Sequence, residues 1–447
     1  MTRRLIVAIV RFALRIYFRQ IEVVGLEHVP MDTPVIFVLN HPNALVDPVF
    51  LFCLAPRRVS FLAKAPLFRM PVLGAFVRAM DSLPVYRRQD EGEDVSRNAE
   101  TFSAARALLA KGGTIGICPE GVSHNETKLR PIKTGAARIA LGATSTGEVR
   151  DLKIVPAGLY YTAKTMFRSS ALLYFGQPLE VRRVELGPDG NPPRAAVREL
   201  SESIEAALRG VILEAEHEEA LHTVSRAERI FSSEGNEDSE ESLAAELQLL
   251  RRFAKAYVVL RQTAPERLSK LEVRMIRFEE QLRQAGIDTD EFIAPEFTSE
   301  VFLNVVLRSF VFLVLAVPAV LGALIHYPAY RLGGYLATSL SNASEDVIST
   351  IKIISAMLLF PLTWVIAALV AGQIGGWMAG LVILVLIPVF GYLAIIFFEE
   401  TDRFMGGIRA LGFFLMRRRF YVRLLAERKA IRNEILALGD EFAVATQ

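Results

Sequence analysis

The chain has 447 residues, of which 52% are hydrophobic, with a mean hydropathy of +0.32 and a formal net charge of only +2. That length makes two or three domains, and the apolar excess points to membrane segments. The balanced charge offers no global basic field for nucleic acid, and two cysteines, Cys53 and Cys118, give no disulfide framework, as expected of a catalytic domain facing a reducing cytoplasm.

Residues 1–20 read as an amphipathic helix. Arg11, Arg15 and Arg19 recur every four residues among Leu, Ile, Val and Phe. No small-residue cleavage site follows, so the segment reads as an interfacial helix against the inner leaflet. Residues 21–212 read as one domain. Apolar β-type runs at 35–39, 58–63, 83–86, 114–118 and 153–159 alternate with helical patterns, as at 98–109 and 135–142. Such alternation predicts an α/β fold, a mainly parallel twisted sheet with covering helices. Residues 213–300 are charged. The acidic run 232–241 reads as a flexible link. Amphipathic helices follow at 243–262 and 265–285, with Leu247, Leu250, Phe253 and Tyr257 at helical spacing.

Residues 301–400 read as an α-helical transmembrane part, with candidate spans at 301–324, 353–370 and 377–398 and a short turn at 372–376. Arg308 reads as a snorkelling residue near an interface. The basic tail occupies 401–447; from 399 onward nine Arg and Lys, Arg417-Arg418-Arg419 among them, face seven Asp and Glu. The positive-inside rule puts this tail in the cytoplasm. Three spans leaving a cytoplasmic domain would put it outside. An even number of crossings is therefore expected, through a re-entrant segment or a further crossing at 330–340 or 404–416. The expected location is an integral membrane protein, at the inner membrane in a bacterium, with its catalytic domain in the cytoplasm.

Two strand ends carry chemistry. The run Val35–Leu39 empties into Asn40-His41-Pro42-Asn43-Ala44-Leu45-Val46-Asp47, and the run 114–118 into Pro119-Glu120-Gly121-Val122-Ser123. Strand ends of a parallel sheet open onto one cleft. A histidine near its reference pKa takes a proton from an alcohol at neutral pH, and a carboxylate on its far ring nitrogen fixes the tautomer. Five residues separate His41 from Asp47, which places His41 in a loop ahead of a helix opened by Asp47-Pro48. The same residues have a plainer reading, Asp47 as a helix cap and His41 as a loop residue, and taken alone they leave both open. Plainer readings also exist for Glu120 as a cap, Ser123 as a turn residue, Lys133 as the opening of a helix, Arg87 as a solvated edge and Lys64 as a surface lysine. His124 reads as a loop residue and Cys118 as a small core residue.

Taken jointly, His41 to Asp47, Leu83 to Arg88, Pro119 to Ser123 and Val155 to Gly158 resemble motifs one to four of the PlsC-type glycerolipid acyltransferases. Lys64 and Lys133-Thr134-Gly135 stand where that family has a Lys and a Lys-x-Gly, and order and spacing agree over residues 20–210. The common family motif is His-x4-Asp. Here it is His-x5-Asp with Asn43 two residues after the histidine, which resembles the subgroup of fungal-type glycerol-3-phosphate and dihydroxyacetone-phosphate acyltransferases. The resemblance implies acyl transfer from acyl-CoA or acyl-carrier protein to a hydroxyl of a phosphorylated glycerol in phospholipid synthesis. It makes His41 the general base, Asp47 its orienter and Arg87 the phosphate ligand. Glu120, Gly121, Ser123 and Asn43 line the acceptor pocket, and Lys64 and Lys133 add positive charge. It implies no metal, no cofactor beyond the thioester co-substrate, and membrane lipids as surroundings. A lysophosphatidate acyltransferase is the alternative within the family. A catalytically idle, membrane-anchored lipid-binding protein is the alternative outside it. A transporter would need paired polar groups within spans, and the sequence displays none.

Overall fold

The structure, a computed structural model, describes residues 2–90, 92–147, 149–232, 242–289, 292, 299–341 and 344–445. The expected link at 232–241 falls outside them from 233 onward, as does the side chain of Arg308. Among the described residues the strands are β1 (Gln20–Val24), β2 (Val35–Leu39), β3 (Ser60–Lys64), β4 (Leu83–Val85), β5 (Thr114–Ile117), β6 (Lys153–Tyr161), β7 (Ser170–Phe175) and β8 (Leu179–Glu180). The helices are α1 (Thr2–Tyr17), α2 (Val46–Leu54), α3 (Pro71–Ala79), α4 (Asn98–Ala110), α5 (Gly135–Ser145), α6 (Arg194–Arg209), α7 (Glu218–Ser232), α8 (Leu243–Thr263), α9 (Pro265–Gln284), α10 (Ser299–Leu340), α11 (Ile348–Met416) and α12 (Arg418–Ala445). They divide into two compact units. One comprises Met1–Glu214, Ser242–Leu247 and Ala337–Ile353, the other Ala215–Glu241, Gln248–Leu336 and Ile354–Gln447.

The first unit is built on one sheet of order β1-β7-β6-β2-β5-β3-β4, with β8 paired to the start of β6. β2 lies at its centre, parallel to β5 on one side and β6 on the other. All five of its residues are buried, so an unbroken apolar run and not an alternating one makes the strand. Val35, Phe37 and Leu39 enter one core layer with Leu14, Phe18 and Phe50 of the α1–α2 face. Ile36 and Val38 enter the other, with Ala105, Ile139 and Ile204 of α4, α5 and α6. The sheet is mainly parallel, as the sequence predicts; β7 and β8 pair antiparallel with β6, and β1, parallel to β7, runs the same way as β7. β1, β7 and β8 lie outside the predicted runs. β1 sits at the sheet edge with no residue fully buried, and β8 is two residues long, so neither carries a strong apolar signal. α1 turns Val10, Leu14 and Tyr17 into the core and leaves Leu5, Ile9 and Phe12 exposed. Its Arg11 folds inward, with Nε donating to the Cys53 carbonyl at 2.9 Å.

The second unit is helical. α7, α9 and α12 share a core of Ile230, Met275, Phe278, Tyr421, Leu424 and Ile431. Arg274 bridges α9 to α12 through Glu427 at 2.6 Å and Glu434 at 2.8 Å. The basic tail is therefore a packed helix. Two helical stretches, Ser309–Leu340 and Glu345–Met416, are long and apolar enough to cross a membrane, with hydropathies of 2.3 and 2.9 and little of either buried. The second is a hairpin: Gly376, at φ 81° and ψ 170°, breaks it into arms 348–375 and 377–416, at the end of the expected turn.

α10 packs against both arms of this hairpin. Phe312 meets Phe397 and Phe404 with ring centroids 5.9 and 5.2 Å apart. Gly322 packs so tightly on the second arm that a Cβ there would lie 2.1 Å from the Phe390 carbonyl oxygen. His326 accepts from Trp364 Nε1 at 2.7 Å, and Gly333 faces Ser355 and Leu359. As α10 advances, its partners on both arms fall in number. α10, which holds Pro318 and Pro328, meets the second arm through Phe312 and Gly322 and the first through His326 and Gly333. Small residues at the contact let the backbones approach.

Candidate active site

The strand order lines the motifs up along the C-terminal edge of the sheet. β6, β2, β5, β3 and β4 end at Tyr161, at the His41 loop, at Pro119-Glu120-Gly121, at Lys64 and at Arg87. β2 and β5 are neighbours, with Val38 opposite Ile117, so the two chemical loops leave the sheet side by side. Asn40 pins the first loop. Its Nδ2 donates to Leu159 O at 3.0 Å and its Oδ1 accepts from Leu159 N at 2.8 Å, extending the β2–β6 ladder by a side chain.

His41 Nδ1 lies 2.9 Å from Asp47 Oδ2. The helix opens two residues earlier than expected, at Val46, and Asp47 sits in its first turn without capping it. Its carboxylate is drawn back instead toward the loop. Oδ2 also accepts from Asn43 N at 2.7 Å, and Oδ1 accepts from the Tyr161 hydroxyl at 2.7 Å. Asp47 is fully buried and all its bonds favour the carboxylate. It accepts from Nδ1–H of His41, which leaves Nε2 as the basic atom. The His41 side chain keeps 18% of its surface exposed, enough for a substrate atom to reach it. Burial opposes a charged imidazole here. The Cys118 sulfur and the hydrogen bond and charge of Asp47 outweigh that, and hold the His41 pKa well above the usual histidine value. Burial, reinforced by Asp47, pushes the Tyr161 phenol well above its own, so Tyr161 serves Asp47 as a neutral donor.

Glu120 is buried and faces the loops. Oε1 accepts from His41 N at 3.1 Å, and Oε2 accepts from Arg130 N at 2.9 Å and bonds His124 Nε2. The backbone N–H of His124 in turn reaches His41 O at 3.2 Å. Glu120 thus organises the His41 loop. Gly121 has φ +74°, a backbone conformation that favours glycine. Its N–H closes a turn onto Cys118 O and is not available to a substrate.

Arg87 grips Asp90 with its fork, Nε at 2.7 Å and Nη2 at 2.6 Å, while Nη1 donates to Gly121 O at 2.7 Å. The Arg87 bonds hold the Asp90 carboxyl below the usual range, with Lys64 and Lys133 adding to the effect. Burial and the Arg87 charge lower the Lys133 ammonium. Arg87, Lys64 and Lys133 therefore form one cationic group around Asp90, the setting for an anion. Asn43 is fully buried; its Nδ2 lies 3.4 Å from Lys164 O and its Oδ1 has no partner in the protein.

All nine sequence-derived residues lie along this edge. His41, Asp47, Asn43 and Glu120 form one group and Arg87, Lys64 and Lys133 another, with Gly121 between them. Ser123 donates to Asp346, far along the chain. Sequence reasoning missed Asn40, Tyr161, Lys164 and Asp346, and it read His124 as a bystander. Cys118, expected in the core, is part-exposed with its sulfur in reach of the His41 ring. The alternation of strand residues could have flagged Cys118 as the last residue before the loop; nothing local flags Asp346.

The acyltransferase family model matches residues 20–160, and the glycerol-3-phosphate acyltransferase 2 C-terminal domain matches residues 224–444. The chain carries a PlsC-type acyltransferase domain followed by a glycerol-3-phosphate acyltransferase 2 C-terminal domain. Glycerol-3-phosphate O-acyltransferase 1 of Saccharomyces cerevisiae is 26% identical over 447 aligned residues, covering 78% of this chain and 58% of that protein. Glycerol-3-phosphate O-acyltransferase 2 of the same yeast is 26% identical over 284 residues, covering 60% of this chain and 37% of that protein. A 1-acyl-sn-glycerol-3-phosphate acyltransferase of Borreliella burgdorferi is 31% identical over 143 residues, covering 32% of this chain and 52% of that protein. The chain thus spans less than two thirds of the length of the yeast relatives. The two matched regions follow its two characters, the sheet with its polar edge and the helical remainder.

Proposed function

We propose that this acyltransferase moves a fatty acyl group from acyl-CoA or acyl-carrier protein to a hydroxyl of glycerol-3-phosphate or dihydroxyacetone phosphate. The observation that carries this is the buried His41–Asp47 pair at a strand end, set beside the cationic group of Arg87, Lys64 and Lys133. His41 Nε2 takes the hydroxyl proton as the oxygen attacks the thioester carbonyl, and Asp47 stabilises the imidazolium that forms. Collapse of the tetrahedral intermediate expels the thiol, which takes the proton back from His41. The cationic group holds the phosphate and so fixes which hydroxyl meets the base. Asp90 occupies the fork of Arg87, so an acceptor phosphate either displaces it or takes the donors that remain. Nothing in this route asks for a cofactor beyond the thioester.

The family match and the two yeast relatives favour the glycerol-phosphate acceptors. The Borreliella relative favours lysophosphatidate as the second reading. Palmitoyl-CoA offered with each acceptor to the detergent-solubilised protein decides between them, with His41→Ala as control. Product from glycerol-3-phosphate or dihydroxyacetone phosphate alone, lost in the variant, is the expected result. Product from lysophosphatidate alone moves the assignment to the second reading, and product from no acceptor leaves an acyl-carrier-protein donor or an idle protein.

The protein is read as integral to the cytoplasmic membrane with its site in the cytoplasm. The α11 hairpin supplies two crossings, and α10, long and apolar enough to span, enters as a re-entrant segment that keeps the count even. An even number returns Arg417-Arg418-Arg419 to the side where residue 348 enters, in accord with the positive-inside rule. Reporter fusions at the two termini should report the same side; opposite sides would make α10 a third crossing.

A further inference from the structure

The turn that leads into the membrane hairpin belongs to the compact unit that carries the active site. Asp346 in this turn is buried, 6% exposed, although Ser344 and Glu345 beside it are exposed. Ser123, from the Pro119-Glu120-Gly121 loop, donates to Asp346 Oδ2, and Ser344 donates to Oδ1. Around it the turn is fastened to the loops that frame His41. Asn125 Nδ2 donates to Glu345 Oε2 at 2.9 Å. Ser349, fully buried, donates to Lys164 O and accepts from the Tyr17 hydroxyl at 3.1 Å. Lys352 Nζ donates to Thr165 O at 2.7 Å.

These contacts have a feature that a mere anchor does not need. A carboxylate has been taken out of water at the rim of a site whose base is a histidine. Burial would raise the Asp346 pKa. The Ser123 and Ser344 hydroxyls, its own backbone N–H and the nearby charge of His41 overcome this and keep it below the usual range. The attraction is mutual, so the Asp346 anion also favours the imidazolium of His41. Two serine hydroxyls and one backbone N–H leave a carboxylate oxygen with accepting capacity to spare.

We propose that Asp346 is a positioning residue of the acyl-transfer site, supplied by the root of the membrane hairpin, which fixes Ser123 and sets the charge balance at His41. This rests on His41 being the base. The groups that face His41 are Asp47 on α2, Cys118 at the end of β5, Glu120 and His124 on the loop after it, and Asp346. Tyr161, at the end of β6, and Lys164 just beyond it act on it through Asp47. Removing the Asp346 charge takes away a partner of the imidazolium, so the base is freed at lower pH.

The test is the pH profile of kcat/KM for glycerol-3-phosphate with palmitoyl-CoA, in the full-length protein and in Asp346→Asn, Asp346→Glu and His41→Ala. The amide variant should lose about 10- to 100-fold in kcat, the scale of a misplaced reacting group, and its acid limb should move to lower pH. Asp346→Glu should keep the limb in place and recover most of kcat. Asp346→Ser, smaller and uncharged, gives the same comparison should the amide fail to fold. An acid limb in the uncharged variants that coincides with that of the parent would overturn the proposal, whatever the loss in rate. Activity surviving in His41→Ala would sink the base assignment and this proposal with it. Activity lost in His41→Ala beside an unmoved limb in Asp346→Asn would sink only the role of Asp346.

Discussion

The sheet edge and the apolar hairpin are both held by few residues, but of opposite kinds. At the sheet edge, buried carboxylates are met by donors: Asp47 by three, Glu120 by three more. At the hairpin the backbone itself makes the contact, because Gly322 and Gly391 carry no side chain to keep α10 away. One region is specified by what its residues can donate and accept, the other by what they lack. The first should fail in rate when altered, the second in stability.

The largest effect should come from the sheet edge. His41→Ala is expected to cut kcat/KM about 10²- to 10⁴-fold, the usual worth of a positioned base, with the melting temperature little changed. A variant that loses rate only in proportion to folded protein would erase the contrast. Asp47→Asn comes next. A buried partner is lost, so steady-state kcat should fall by roughly 100-fold. The pH dependence has a definite sign. The His41 pKa is held high, and a base must be unprotonated, so the acid limb of kcat/KM in the parent should lie above that of an ordinary histidine. Asp47→Asn removes one of the groups that raise it, and the limb should move to lower pH; an upward move would mean that burial and not pairing governs the site.

Gly322→Val tests the other region. The added Cβ meets the Phe390 carbonyl, and overpacking of this kind costs about 1–3 kcal/mol. Thermal melting in detergent should shift down, while acyl transfer per folded molecule stays as it was. A loss of rate without a loss of stability would show that the packing of α10 matters to the site. The smallest effect is expected at Asp90. Asp90→Asn weakens the hold on the Arg87 fork, and KM for the acceptor should fall a few-fold, on the order of what one charge-assisted bond to a phosphate contributes. A raised KM would make Asp90 itself a binding group.

The same division decides what could be read from the sequence. β2 and β5 were legible because a central parallel strand is apolar throughout, and His41 and Glu120 because they follow such strands directly. Asp47 was legible as a partner of His41 but not as a member of the first helical turn, since the pull of Asn43 N–H and His41 on its carboxylate is tertiary. Tyr161 was out of reach because its partner is more than a hundred residues away, and Asp346 because its partner Ser123 lies on the far side of the helical region. The hydropathy of 301–400 was legible as helices long and apolar enough to span. How α10 packs on the hairpin depends on Phe312, Gly322 and Gly333 meeting particular partners, which no periodicity records.

Glu120 has a consequence for anyone who would recombine such enzymes. One carboxylate joins the backbone of His41 to that of Arg130 and to the ring of His124. Residues 40–47 and 119–130 therefore form a single exchangeable cassette. A chimera that imports the second loop from a relative to change acceptor preference must import the first with it, or it will inherit a new pocket and a misaligned histidine.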